Sequence, residues 1–100
     1  MRASEVQRVF RIATPSRGKR MVVFSAPGHG GLAVVASRKV GGAVDRNRAK
    51  RILRAAWRVT PFEPSEATDV VLVAREGIRG VKTQDLVGEM TELLRAGAKA

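Results

Sequence analysis

One hundred residues suffice for one hydrophobic core and are too few for two, and a hydrophobic content of 44% belongs to a folding domain, not a disordered chain. The formal net charge is +10 and the sequence pI about 11.6, which points to a polyanionic partner. The absence of cysteine excludes a disulfide framework, a thiolate nucleophile and a Cys-based zinc site.

The N-terminal stretch MRASEVQRVF lacks the apolar run of a secretory signal. The longest apolar runs, LAVVA at 32–36 and VVLVA at 70–74, fall far short of the roughly 20 residues a membrane span needs. A soluble, cytoplasmic protein with no membrane partner is expected. Ser4, Glu5, Val6 and Gln7 read as a capping box opening a helix to about Ile12, with Val6, Val9 and Phe10 on one face. The segment Thr14–Gly18 breaks it. Met21–Ser25 and Leu32–Ser37 read as strands, and the turn Pro27–Gly31 between them predicts a hairpin. A helix follows to about Val59, capped by either Gly42 or Asp45. Residues 60–68 form a loop containing Pro61 and Pro64, Asp69–Arg75 a buried strand, and 76–82 a second loop. Thr83 caps a last helix with Leu86, Met90, Leu93 and Leu94 on one face, and Gly97 ends it. The order is helix, two or three strands, helix, strand, helix (α-β-β-β-α-β-α with three strands). That is a single-domain α/β sandwich (an α+β sandwich) over 1–100, with helices packed on a mixed central sheet.

Charge is unevenly spread. Residues 1–60 hold fourteen Lys/Arg and two acids, whereas residues 61–100 hold five and seven. The concentration peaks in AVDRNRAKRILRAAWR (43–58), with six basic side chains and one acid. At about 100° per residue, Arg46, Asn47, Lys50, Arg51, Arg54 and Arg58 share one arc and Ala49, Ile52, Leu53, Ala56 and Val59 the other. Trp57 lies near the border, and Arg48 projects from the side of the polar arc. A merely solvated face would interleave Glu with Lys for i,i+4 support, yet no acid occurs between Asp45 and Glu63. Arg outnumbers Lys five to one here, and its planar fork suits phosphate oxygens and base edges. A membrane-surface helix would carry more bulky inserting residues than Trp57. RNA or DNA is the favoured partner.

The stretch ASRKVGGAVDRNRAKRILRAAWR (36–58) resembles the bacterial ribonuclease P protein component, with its Arg-Asn-Arg core followed by Lys-Arg and a further Arg one turn on. The flanks VQRVF, RMVVF and DVVLVAREG agree, so the likeness runs from about Ser4 to Gly97. The resemblance implies a protein subunit that binds a catalytic RNA and the 5′ leader of precursor tRNA. Cleavage would depend on Mg2+ used by the RNA. It further implies a left-handed β-α-β crossover through the basic helix. Arg38, Lys39, Arg46, Asn47, Arg48, Lys50, Arg51 and Arg54 would face the RNA, while Val6, Phe10, Val22 and Phe24 would line the leader cleft. Packing within the core is an equal reading of those last four. Two positions depart from the family: Gly42 stands where Asn is usual, and Val6 replaces the first of two aromatics.

The residue inventory holds no catalytic constellation and no metal site. His29 is a lone turn residue, and the acids are scattered without the clustering that two-metal phosphoryl chemistry needs. The alternative reading is a generic basic RNA-binding protein of ribosomal type. It explains the charge but not the Arg-Asn-Arg spacing.

Overall fold

The computed structural model describes residues 1–63 and 66–99. Its elements run α1 (Ala3–Ile12), β1 (Ser16–Arg17), β2 (Met21–Pro27), β3 (Leu32–Ala36), α2 (Ala43–Val59), β4 (Thr68–Ala74) and α3 (Thr83–Lys99). Short 3-10 turns at Arg38–Val40 and Glu76–Ile78 lead into α2 and follow β4. This is the expected order with three strands before the basic helix. Pro64 and Ser65, within the loop expected at 60–68, lie outside the described residues.

The sheet order is β1-β2-β4-β3. β4 runs antiparallel to β2 and parallel to β3, so the sheet is mixed. The hairpin expected between residues 21–25 and 32–37 does not form, because β4 lies between those two strands. The reason is burial on both faces: Asp69 to Leu72 and Ala74 are all buried, and such a strand belongs in the middle of a sheet. The turn after β2 therefore straddles the start of β4. Gly28 N–H donates to Ala67 O (2.9 Å), and Val70 N–H donates to Gly31 O (2.9 Å).

Strand alternation divides the apolar side chains between two faces. Met21 and Val23 of β2, with Val70, Leu72 and Ala74 of β4, meet Ala49, Leu53 and Ala56 of α2 and Leu86, Met90 and Leu94 of α3. Each large aliphatic side chain buried there contributes about 1.5–3 kcal/mol. Among the described residues the opposite face is covered by α1, with Val9 packed on Ala26 and Val71.

Three helix ends differ from expectation. The proposed capping box at Ser4 is not used: α1 starts at Ala3, and Arg2 O accepts from the N–H groups of Glu5 and Val6 at 3.0 and 3.1 Å. Thr83 is the first helical residue of α3 and not its cap. The Asp85 carboxylate accepts from Lys82 N–H at 3.3 Å just ahead of it. Gly97 does not end α3, which runs to Lys99. A Cβ at Gly97 would lie 3.0 Å from Ser25 Oγ, so this glycine serves close helix–sheet approach.

Candidate nucleic-acid interface

Gly42 is the N-cap of α2, which settles the capping alternative, and Asp45 lies in the first turn, where a carboxylate complements the helix dipole. Ala49, Leu53 and Ala56 anchor the helix to the sheet and α3, which leaves Asn47, Arg48, Arg51, Arg54 and Arg58 exposed. The exposed arc is rotated from the expected one toward Arg48. That residue sits on the open surface, while Arg46 and Lys50 are half-buried along one flank. The Nε of Arg46 is buried and has no hydrogen-bond partner among the described residues. Val59, expected on the inner face, is 65% exposed, because it ends the helix beyond the packed stripe.

No arginine of the outer arc is paired with a carboxylate among the described residues. The two ion pairs there are Arg8–Asp69 and Arg79–Asp45. Like charges one turn apart repel by a few tenths of a kcal/mol per pair, and that repulsion stands uncompensated along the ridge. Arg38 and Lys39 are exposed on the 3-10 turn that leads into α2, so they extend the basic surface backward along the chain.

Beside Lys39 lies a groove of about 720 Å³ lined by Arg17, Lys19, Val73, Arg75 and Glu76, among others. Arg17, Lys19 and Arg75 did not stand out in the sequence. They are separated along the chain and meet because β1 pairs with β2 and β2 with β4. The usable signal was a basic residue at the end of β1 and another just after β4, two strands that β2 separates. Arg75 Nη1 also donates to Gly18 O at 2.7 Å, which ties the β1–β2 turn to the end of β4.

The four cleft residues do come to one side of the sheet. Phe10 meets Phe24 edge to face, with ring centroids 4.9 Å apart and planes at 81°. Phe10 is 37% exposed, Phe24 and Val6 are half-buried, and Val22 is buried. Ala33 and Val35 of β3 and Val73 of β4 lie half-buried on the same face. The short α1 helix thus leaves an apolar strip beside the Phe10–Phe24 pair.

Asp69 holds α1 to this face. Its carboxylate accepts from the backbone N–H of Gly31 (2.8 Å) and His29 (3.0 Å) and from Arg8 Nη2 (2.7 Å). The Gly31 hydrogen bond first, then His29 and the Arg8 charge, hold its pKa below the usual carboxylate value against the opposing effect of burial. His29 contributes its backbone to this turn while its residue is exposed.

The remaining carboxylates are dispersed. Asp45 faces Arg79, Asp85 accepts from Lys82 N–H, and Glu89 accepts from Arg20 N–H at 3.0 Å. No group of three or more metal-ligating side chains comes together among the described residues. No helix among them is long and apolar enough to cross a membrane.

A family model described as Ribonuclease P matches residues 1–97. The chain belongs to the ribonuclease P protein family. A ribonuclease P protein component from Gluconacetobacter diazotrophicus is 47% identical over 60 residues, covering 59% of this chain and 52% of that protein. The one from Brevibacillus brevis is 27% identical over 95 residues, covering 91% and 75%. The chain thus spans about half the length of the Gluconacetobacter relative. The solved Staphylococcus aureus RNase P protein superposes with a TM-score of 0.79 at 23% identity, covering 96% of this chain and 91% of that one. That likeness bears out the α+β sandwich of three helices on a mixed sheet. Arg46, Asn47 and Arg48, the residues at the centre of the resemblance drawn from the sequence, lie on the outward face or flank of α2.

Proposed function

We propose that this chain is the protein subunit of a cytoplasmic ribonuclease P. In this reading it binds the catalytic RNA through α2 and the 5′ leader of precursor tRNA across the face that carries α1. The observation behind this is the outer arc of α2: five exposed Asn/Arg side chains, unpaired with any acid among the described residues, in a member of the ribonuclease P protein family. From Asn47 to Arg58 the arc extends about 16 Å at ~1.5 Å per residue. Guanidinium forks along it can donate to successive phosphate oxygens, and displaced counterions make such binding strongly salt-dependent.

The leader would lie where unpaired bases find apolar and aromatic walls, between Phe10, Phe24 and the strip at Val35 and Val73. The basic groove at Arg17, Lys19, Lys39 and Arg75 adjoins that face through Val73, and suits the leader's phosphates. The protein's part is to bind and position. Hydrolysis of the phosphodiester, with its magnesium ions, belongs in this reading to the RNA; no three potential metal-ligating side chains come together among the described residues of the protein.

Reconstitution tests this. Adding the purified chain to a bacterial ribonuclease P RNA at low magnesium is expected to raise cleavage of precursor tRNA at the mature 5′ end, and protein alone is expected to cut nothing. Binding to the RNA without any stimulation would favour a generic RNA-binding role. Cleavage by protein alone, resistant to prior ribonuclease treatment, would place the chemistry in the chain.

A further inference from the structure

At the start of α2 the two 3-10 turns pack together and leave a cavity of about 360 Å³. Its floor is apolar, from Val40, Ala49, Ile52 and Ile78, and its rim carries Arg48, Arg79 and Asp45. We infer that this cavity takes a single unpaired nucleotide of the bound RNA, with its base on the aliphatic floor and its phosphate between Arg48 and Arg79. The inference rests on the RNA-binding reading of α2 and adds a specific pocket to it.

Three features argue for a nucleotide over an anion alone. The volume falls at the lower end of the roughly 300–1,000 Å³ typical of small-ligand pockets, more than a phosphate fills. Half-buried Ile52 offers aliphatic contact to a base above the buried Val40, Ala49 and Ile78, and an arginine on the rim can stack on a base or pair with its phosphate. Asp45 supplies an acceptor suited to an exocyclic amino group, which adenine, cytosine and guanine carry and uracil lacks. The carboxylate is pressed against Gly41, where an added Cβ would collide with it. Gly41 also has φ +142°, a conformation that L side chains rarely adopt.

The rim is available. Arg79 and Asp45 meet at 3.7 Å, and their side chains are 62% and 42% exposed, so water already screens this pair. Arg79 can turn to a phosphate at little cost. Arg48 belongs both to the rim and to the exposed ridge of α2, so RNA lying along the ridge passes the cavity mouth.

The test is an NMR titration of the full chain with adenosine 5′-monophosphate, uridine 5′-monophosphate and inorganic phosphate in separate arms. The adenine nucleotide is expected to move the methyl signals of Val40, Ile52 and Ile78 and to bind at least threefold more tightly than the uridine nucleotide. Phosphate is expected to leave those methyls in place. Ile52→Phe, which fills the cavity, and Arg79→Ala, which removes half of the phosphate clamp, should each weaken the adenine nucleotide at least fivefold. The second variant keeps the test decisive if the first fails to fold. Methyl shifts no larger than those with phosphate, or unchanged affinity in a folded variant, would overturn the pocket. Affinity for ribonuclease P RNA, measured separately with Arg51→Ala, tells the two readings apart. A loss there beside an unresponsive pocket sinks only the pocket, and a responsive pocket in a chain that ignores the RNA sinks only the RNA-binding reading.

Discussion

The two faces of the sheet are covered unequally. One is sealed by α2 and α3, each 17 residues long, and the other carries only the 10-residue α1 among the described residues. On the sealed face, the apolar stripe of α2 is used up in packing, so its charged arc is free to serve an outside partner. On the open face the coverage itself is incomplete, and apolar side chains such as Phe10 and Val73 stay within reach of solvent. The same fold thus offers a charged surface on one side and a partly open apolar one on the other.

The largest expected effect lies on the sealed face. Leu53→Ala or Leu86→Ala should each cost about 2–5 kcal/mol in urea unfolding, because both side chains are fully buried. A cost below ~1 kcal/mol for either would mean that this face is not the main core.

The tie between α1 and the open face comes next. Asp69→Asn removes the charge that holds Arg8 and should cost about 1–3 kcal/mol near neutral pH. The carboxylate's native pKa is depressed, so its stabilisation is complete above the unfolded-state value of about 3.9 and is lost as pH falls through the native value. The stability gap between wild type and Asp69→Asn should therefore narrow as the solution is acidified from pH 6 toward pH 2. A gap independent of pH would show that the charge of Asp69 contributes nothing.

The smallest effect on stability is expected at Phe10. Phe10→Leu keeps apolar bulk at a partly exposed site and should cost ~1 kcal/mol or less. The preference for precursor over mature tRNA should nevertheless fall about fivefold or more, since stacking on one base is worth about 1–3 kcal/mol. A full preference in a folded Leu variant would assign Phe10 to packing against Phe24 and move the leader elsewhere.

Local patterns made the outer arc of α2 legible in sequence: a 3.6-residue apolar period, a run of arginines and no balancing acid until Glu63. Strand pairing was not legible, because LAVVA and VVLVA look alike as apolar runs. Only the complete sheet distinguishes the edge strand β3 from the central β4. The Arg8–Asp69 tie joins residues 61 apart in the chain, and the Arg17, Lys19 and Arg75 groove joins two strand ends. Such long-range meetings leave no periodic trace. Glu89 of α3 is a similar case: it lies on the acid-rich half of the chain, and its carboxylate accepts from Arg20 N–H, 69 residues away. Glu92, exposed on the same helix, is the acid free of that tie.

The most direct test of the account is the affinity for a bacterial ribonuclease P RNA as a function of salt, for wild type, Arg51→Ala and Glu92→Ala. Wild-type binding should weaken steeply as salt rises. Arg51→Ala should weaken it by about 1–3 kcal/mol, roughly 5- to 150-fold, with a salt slope shallower by about one. Glu92→Ala should match wild type. Equal effects from the two substitutions, or none from Arg51→Ala, would contradict the claim that the outer arc of α2 binds the RNA.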